Sequence, residues 1–409
     1  MLPNRLGLVP PSSFDRLAQL LQGIQPTFAV NGAPVMMTVG EPQEIPPAFI
    51  TDILASHARD FGRYPPISGT PSFRAACAGW LGRRFGLPAS AIDADKQILP
   101  LNGSREGLFH ALFVLAPESK AGGRPVVLIP NPFYGVYPAA AIAAGCEPYY
   151  VPSRAETGFL PDFANVPEAA LKRTVAAFFC SPSNPESACA ATADWQRLFK
   201  LSDQYDFTVL ADECYAEIYD RDAPVGGLSV RYDMSGGFER LLSFHSLSKR
   251  SNVPGLRSGF MVGPPAVMAK MRAFRNLAGP QVPIPVMAAS EAAWNDDRHV
   301  EENRAAYRRR FDIAEGILGA HRGFKRPQGA FYLWLDVGDG VTFAAELWRK
   351  TGVRVMPGAF MGCDTIPGDS ASNPGKPYVR VALVHDLLTI KAALEKVAEL
   401  LEVRNGQEV

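Results

Sequence analysis

The chain has 409 residues, more than one compact core usually holds, so a large domain with a smaller one is expected rather than a single globule. Hydrophobic residues make up 47% and charged residues 20%, a balance that excludes a disordered or fibrous chain. Lys+Arg and Asp+Glu both total 41, which leaves no positive field to gather phosphate backbones, and nucleic acid is not an expected partner.

The opening Met1-Leu-Pro-Asn-Arg runs into prolines rather than the apolar stretch of a signal peptide, and residues 1–47 show no strong period of their own. They are expected to pack on one of the two domains. Apolar runs such as Val126–Ile129 and Val175–Cys180 are too short to cross a bilayer, so a cytoplasmic protein without membrane contact is expected. Candidate strands lie at Lys96–Leu101, Pro125–Pro130, Thr174–Cys180, Phe207–Ala211, Leu241–Phe244 and Gly259–Val262, each apolar throughout, as strands covered on both faces should be. Between them, Leu108–Leu115 and Trp195–Tyr205 carry apolar residues at helical spacing, the alternation of a mostly parallel α/β sheet.

Beyond about residue 292 the texture changes. A charged helix at His299–Leu318, a strand at Ala330–Val337, a short helix near Phe343–Arg349 and a strand at Tyr378–Leu383 are predicted. A last helix, Leu388–Val403, sets Ile390, Leu394, Val397 and Leu401 on one stripe. The expected division is a large domain over 48–291 and a smaller α/β domain built from 292–409 with 1–47. The six cysteines (77, 146, 180, 189, 214, 363) show no paired spacing, so neither disulfide nor metal site is expected.

Ligands of open parallel sheets bind beyond the carboxyl ends of the strands, so the residues just past each apolar run are the informative ones. After the first run comes Asn102-Gly-Ser-Arg-Glu-Gly107, then Pro132-Phe-Tyr134, Ser181-Pro-Ser-Asn184-Pro, Asp212-Glu-Cys-Tyr215, and Ser246-Leu-Ser-Lys249 with Arg257 beyond. Taken singly, Gly103-Ser104-Arg105 is also what a plain helix cap looks like, and Asp212 and Lys249 also read as surface charges. Together they match the needs of pyridoxal phosphate: an amine for an imine (Lys249), a carboxylate beside the pyridine nitrogen (Asp212), donors to the ring oxygen (Asn184, Tyr215) and an aromatic face (Tyr134). The phosphate end asks for a helix start, hydroxyls and a forked cation, which Gly103, Ser104, Arg105, Ser246, Ser248 and Arg257 supply. No Gly-x-Ser-x-Gly elbow, His-Glu-x-x-His or Walker loop is present. His245, beside the lysine run, reads most simply as a structural histidine.

The run Ser246-Leu-Ser-Lys249-Arg-Ser-Asn-Val-Pro-Gly-Leu-Arg257-Ser-Gly259 resembles the lysine signature of class I/II aminotransferases, the fold-type-I group. The likeness extends through Val39-Gly-Glu-Pro42, Tyr64-Pro-Pro-Ile-Ser-Gly69, Gly329-Ala-Phe-Tyr-Leu-Trp-Leu335, Pro357-Gly358 and Val379-Arg380-Val381. It implies a mostly parallel seven-stranded sheet flanked by helices plus a smaller α/β domain, with Lys249 as cofactor anchor and proton carrier. It further implies that Arg380 grips the substrate carboxylate, that Gly40 and Asn184 lie close to the substrate, and that Tyr64 reaches the phosphate of a neighbouring subunit in a homodimer. Within the group, Phe14-Asp-Arg-Leu17, Ala211–Tyr219, Ser248–Arg257 and Ala293–Val300 are most similar to N-succinyldiaminopimelate aminotransferases, implying transfer of an amino group between glutamate/2-oxoglutarate and the succinylated substrate. Aspartate, alanine or aromatic substrates, carbon–sulfur lyase chemistry and a non-catalytic regulator remain the alternatives. One departure stands out: the family's Asn-Pro-Thr-Gly reads Asn184-Pro185-Glu186-Ser187 here.

Overall fold

The computed structural model describes residues 7–30 and 32–405; the opening Met1-Leu-Pro-Asn-Arg lies outside the described residues. In chain order the strands are β1 (Val35–Met36), β2 (Ile98–Leu101), β3 (Val126–Asn131), β4 (Glu147–Pro152), β5 (Thr174–Cys180) and β6 (Thr208–Asp212). They continue with β7 (Leu241–Ser246), β8 (Gly259–Val262), β9 (Tyr332–Asp336), β10 (Val353–Arg354), β11 (Met356–Pro357) and β12 (Tyr378–Ala382). Seven strands form one sheet in the order β2-β8-β7-β6-β5-β3-β4. Only β8 runs against its neighbours; the rest are parallel.

The continuous apolar character of the central strands has a direct cause. Side chains alternate across a strand, and here each face meets its own core. Phe179, Val209, Ala211 and Leu241 enter one cluster with Trp80, Trp195 and Trp294, while Phe178, Leu210, Leu242 and Phe244 enter the other with Leu108, Leu112 and Tyr137. The helix Ser104–Leu115 seals the second face, and Gly107 permits the close approach: a Cβ there would stand 2.5 Å from Leu101 and 3.0 Å from the Phe244 ring.

All six predicted strands in this sheet recur within two residues of their expected ends; the first, expected from Lys96, begins at Ile98 because Ala94–Gln97 forms a helical turn. The edge strand β4 has no counterpart among the strands expected from the sequence. It pairs on one side only, is half-buried through most of its length, and reads Glu-Pro-Tyr-Tyr-Val-Pro, with prolines that suit an edge and blur the apolar run. The predicted helices are present and longer, Ser104–Leu115 and Thr192–Tyr205, because their polar first turns carry no apolar period.

In the later part of the chain β9, β12 and β11 form an antiparallel sheet, and the helices Arg298–Leu318 and Leu387–Asn405 pack beside it. The predicted stripe Ile390, Leu394, Val397 and Leu401 is buried there. The opening of the chain joins this part: β1 pairs with β10, and Leu17 and Leu21 of the helix Ser13–Leu21 pack on Met356 and Met361. Among the described residues no helix is long and apolar enough to cross a membrane.

Phe244 is fully buried two residues before the end of β7, so its removal loosens the sheet that carries the site. Phe244→Ala is expected to lower the unfolding free energy by about 3–5 kcal/mol, read from the urea midpoint of the cofactor-free protein. A shift of less than about 1 kcal/mol would contradict this packing.

Candidate active site

Strands β3, β5, β6 and β7 point the same way, and their carboxyl ends open onto a cavity of 710 Å³. Of the residues singled out in the sequence, Gly40, Ser104, Arg105, Tyr134, Asn184, Asp212, Tyr215, Ser246, Ser248, Lys249, Arg257 and Arg380 all line it. Gly103 precedes Ser104 as the residue capping the helix Ser104–Leu115. Tyr64 is not brought in: its side chain is 99% exposed and lies outside the cavity wall.

Asp212 closes β6. Its Oδ2 accepts a 2.7 Å hydrogen bond from Tyr137 Oη, whose ring stacks on Phe178 at 4.3 Å between centroids. Its Oδ1 is buried without a partner. Burial raises the Asp212 carboxyl above the usual range, opposed by the Tyr137 hydroxyl and by Cys214. Lys249 leaves the short helix Leu247–Arg250, which Ser246 caps by accepting from Ser248 N at 3.1 Å. Its ammonium donates to Gly40 O, and burial pushes its pKa down to about 8, with Arg380 and Arg257 lowering it further against Glu41 and Cys214. Desolvation therefore makes this amine an effective nucleophile near neutral pH.

The opposite end of the cavity is built for an anion. Gly103 at φ 85° lets the chain turn into the helix Ser104–Leu115, and a Cβ there would stand 2.5 Å from Arg257 Nη2. Arg257, itself at φ 55°, donates from Nη1 to Pro254 O at 2.8 Å and from Nη2 to Asn102 O at 3.0 Å, so its guanidinium is fixed beside the helix start. The hydroxyls of Ser246 and Ser248 lie 3.0 Å apart at the same end. Arg105 Nε donates to Tyr134 Oη at 2.5 Å, holding that ring on the cavity wall.

On the remaining side Arg380, 5% exposed, donates from Nη1 to Asn184 Oδ1 at 2.7 Å and from Nη2 to Thr38 O at 2.6 Å, and lies 4.4 Å over the Tyr332 ring. Tyr332 and Tyr215 share a 2.8 Å hydrogen bond between hydroxyls. Gly40 has a steric reason: a Cβ on it would collide with Tyr332 Oη. The departure at Glu186-Ser187 also has a structural counterpart. Ser187, at φ 60°, accepts from Tyr332 N on its Oγ at 3.2 Å and from Gln328 N and Gly329 N on its carbonyl, tying the turn after Asn184 to the start of β9. Burial pushes the neighbouring Glu186 up to about 8, and its Oε1 is unpartnered.

These observations fit pyridoxal phosphate. A buried carboxylate oxygen without a donor suits a protonated ring nitrogen, a near-neutral lysine suits carbonyl chemistry, and a helix start with a forked cation suits a phosphate. Tyr137 and Tyr332 are the site residues that sequence reasoning missed. Tyr332 sits inside the quoted Gly329–Leu335 run, and Tyr137 lies one helical turn after Tyr134; both reveal themselves only through partners distant in sequence. His245 proves structural: it is buried among Trp80, Phe85 and Phe260, with Nε2 2.8 Å from Ser243 Oγ, and burial lowers it to about 3.

A family model described as aminotransferase class I and II matches residues 30–397. Among curated proteins, the chain is similar to the LL-diaminopimelate aminotransferase of Dehalococcoides mccartyi, 31% identical over 390 residues and covering 93% of this chain and 94% of that protein. The LL-diaminopimelate aminotransferase of Syntrophobacter fumaroxidans is 31% identical over 409 residues, with 97% and 98% covered. Among solved structures, an aminotransferase from Neisseria meningitidis matches with a TM-score of 0.90 at 39% identity, covering 97% of this chain and 99% of that one. A probable N-succinyldiaminopimelate aminotransferase from Thermus thermophilus matches with a TM-score of 0.81 at 24% identity, covering 95% and 100%, a likeness of fold alone.

In the cofactor-free protein the Lys249 amine is expected to lose its proton as pH rises through about 8. Acylation of Lys249 by a limiting pulse of acetic anhydride, followed by peptide mass, is expected to be half-maximal near that pH. A half-maximum above about pH 10 would mean that the cavity leaves the lysine an ordinary amine.

Proposed function

Since this chain belongs to the aminotransferase class I and II family and is a pyridoxal-phosphate-dependent aminotransferase, we propose that it moves an amino group between the glutamate/2-oxoglutarate pair and the amino acid and keto acid forms of a diaminopimelate skeleton, free or N-succinylated at its far end. The observation that carries the site assignment is the shared cavity in which a near-neutral Lys249 and an unpartnered Asp212 oxygen stand together. The curated relatives named for LL-diaminopimelate favour the free amino acid, while the runs Phe14–Leu17, Ala211–Tyr219 and Ala293–Val300 favour the succinylated one.

When bound, pyridoxal phosphate supplies a carbonyl that condenses with amines and a ring that withdraws electrons from the substrate α-carbon. Lys249 would anchor that carbonyl carbon and, once displaced by substrate, take and return the α-proton; its lowered basicity lets it do both near neutral pH. Asp212 Oδ1 would keep a proton on the ring nitrogen, with Tyr137 fixing the other oxygen. Asn184, held by Arg380 through Oδ1, would turn its amide donors to the ring oxygen, beside the Tyr215 hydroxyl. Burial, then the neighbouring Tyr332 hydroxyl, keeps the Tyr215 phenol protonated and able to donate. Tyr134 would stack on the ring, and Gly103, Ser104, Arg105, Ser246, Ser248 and Arg257 would hold the phosphate. Arg380 would take the substrate α-carboxylate, with Gly40 leaving room beside it.

The same reading includes a homodimer acting in the cytoplasm, where its six unpaired thiols stay reduced. Support for the dimer is a set of large side chains open to solvent, Tyr64 at 99%, Leu277 at 89% and Phe61 at 60% exposed; in such a dimer Tyr64 would reach the partner's phosphate site, as the family resemblance implies. The core clusters follow a division into 48–291 as a large cofactor-binding domain and 1–47 with 292–409 as a smaller one for most residues, with the helix Ile284–Asn295 crossing the boundary and carrying Ala293 and Trp294 into the larger core.

Lys249→Ala is expected to lower kcat/KM with glutamate by at least about three orders of magnitude while the melting temperature of the cofactor-free protein holds; full activity would remove the role of this lysine. Assays coupled to 2-oxoglutarate as acceptor, with LL-diaminopimelate, N-succinyl-LL-diaminopimelate, aspartate and aromatic amino acids as donors, test the substrate. Turnover of one of the first two at the highest kcat/KM is expected, and preference for aspartate or an aromatic donor would overturn the diaminopimelate assignment.

A further inference from the structure

Outside the cavity, one buried ion pair is joined to the phosphate end through a short run of hydrogen bonds. Glu106 lies in the first turn of the helix Ser104–Leu115, two residues after Ser104. Its Oε2 accepts from Asn102 N at 2.8 Å, and both carboxylate oxygens lie 3.3 Å from Asn102 Nδ2. Asn102 Nδ2 also donates to Pro280 O at 2.8 Å, and Asn102 O is the carbonyl on which Arg257 Nη2 docks. Behind Glu106 stands Arg275 of the helix Pro265–Ala278, only 3% exposed, with Nη1 2.7 Å from Glu106 Oε2 and Nη2 donating to Pro280 O at 3.2 Å. None of Glu106, Arg275 and Asn102 lines the cavity.

We propose that Glu106 and Arg275 are positioning residues for the phosphate end of the cofactor, Glu106 fixing Asn102 and through it Arg257, and Arg275 cancelling the charge that Glu106 would otherwise set beside a phosphate. The inference rests on the cofactor reading above and deepens it.

Two physical demands meet at this helix start. The turn 102–104 must be held so that backbone N–H groups and Arg257 converge, and a carboxylate at the third helical position does this by accepting the N–H that precedes the helix. The same carboxylate sits in the first turn of the helix at whose start a dianion would bind, and two like charges so placed repel. The buried guanidinium of Arg275, 2.7 Å from the same Oε2 that accepts the Asn102 N–H, offsets that repulsion while the hydrogen bonds to Asn102 stay in place. His110, one turn further along the same helix, cannot serve as that countercharge, because burial lowers its pKa and its Nδ1 has no partner.

The test uses the cofactor-free full chain and three probes, pyridoxal phosphate, pyridoxal and inorganic phosphate, titrated against wild type, Arg275→Met, Glu106→Gln and the double variant. Arg275→Met is expected to weaken pyridoxal phosphate and inorganic phosphate by about tenfold or more while pyridoxal changes less than about twofold, since only the phosphate meets the uncovered charge. The double variant is expected to recover most of that loss, because Gln keeps an acceptor for Asn102 N–H and carries no charge. Glu106→Gln alone, which keeps an acceptor for Asn102 N–H, is expected to bind inorganic phosphate at least as well as wild type, and the double variant, which carries neither charge, serves as its folding control. A parallel loss for pyridoxal, an unchanged Arg275→Met, a double variant without recovery, or a Glu106→Gln that loses phosphate selectively would overturn the proposal. A wild-type protein that binds none of the three probes would instead overturn the cofactor reading itself.

Discussion

Lys249 and Asp212 face one cavity and form no ion pair with each other among the described residues, so for each the loss of water outweighs its partners in setting its charge state. Burial pushes the lysine toward its neutral form and the carboxylate toward its acid form, the reverse of what a structural salt bridge would do. The rest of the site is arranged around keeping these two apart and correctly aimed. Tyr137 takes one oxygen of Asp212 and leaves the other bare, and Gly40 O receives the lysine ammonium. A cavity left unsatisfied in this way favours a ligand that brings a ring cation to one end and an anion to the other, and the free energy of filling it adds to the stability of the folded chain.

The parallel sheet makes that arrangement possible, because it delivers Asp212, Ser246 and the loops after β3 and β5 to a common edge from segments far apart in sequence. The two-faced burial of β5, β6 and β7 is what makes those segments readable: with both faces covered, no polar alternation remains to confuse the pattern. Where one face is open the pattern fails, as at β4, whose half-buried tyrosines and flanking prolines carry no continuous apolar run. Helix starts are also hard to read, since Ser104-Arg-Glu-Gly and Thr192-Ala-Asp are polar and cap-like before the apolar period sets in.

Within the site, residues that act by chemical type are legible. A lysine after Ser-x-Ser, an aspartate at a strand end and a glycine before a helix each announce a role by position. Residues that act by touching those are not. Tyr137 and Tyr332 look like core aromatics until their hydroxyls meet Asp212 and Tyr215, contacts that close loops of many residues and leave no periodic trace. The change to Glu186-Ser187 is visible as a departure but its use is not, because the Ser187 carbonyl and hydroxyl serve backbone groups of residues 328–332.

Pairing of β1 with β10 joins residues roughly three hundred positions apart, and the stretch from Val9 to Phe14 walls the same cavity as Phe360 and Met361. A ribosome therefore emits the first of these segments long before its mate exists. Until translation nears its end, the nascent chain has to carry an amino-terminal arm with nowhere to dock, while the seven-stranded sheet can already have formed. Shortening the gene from its 3′ side back to the codons for β10 and Met361 would thus damage the beginning of the protein as surely as its tail.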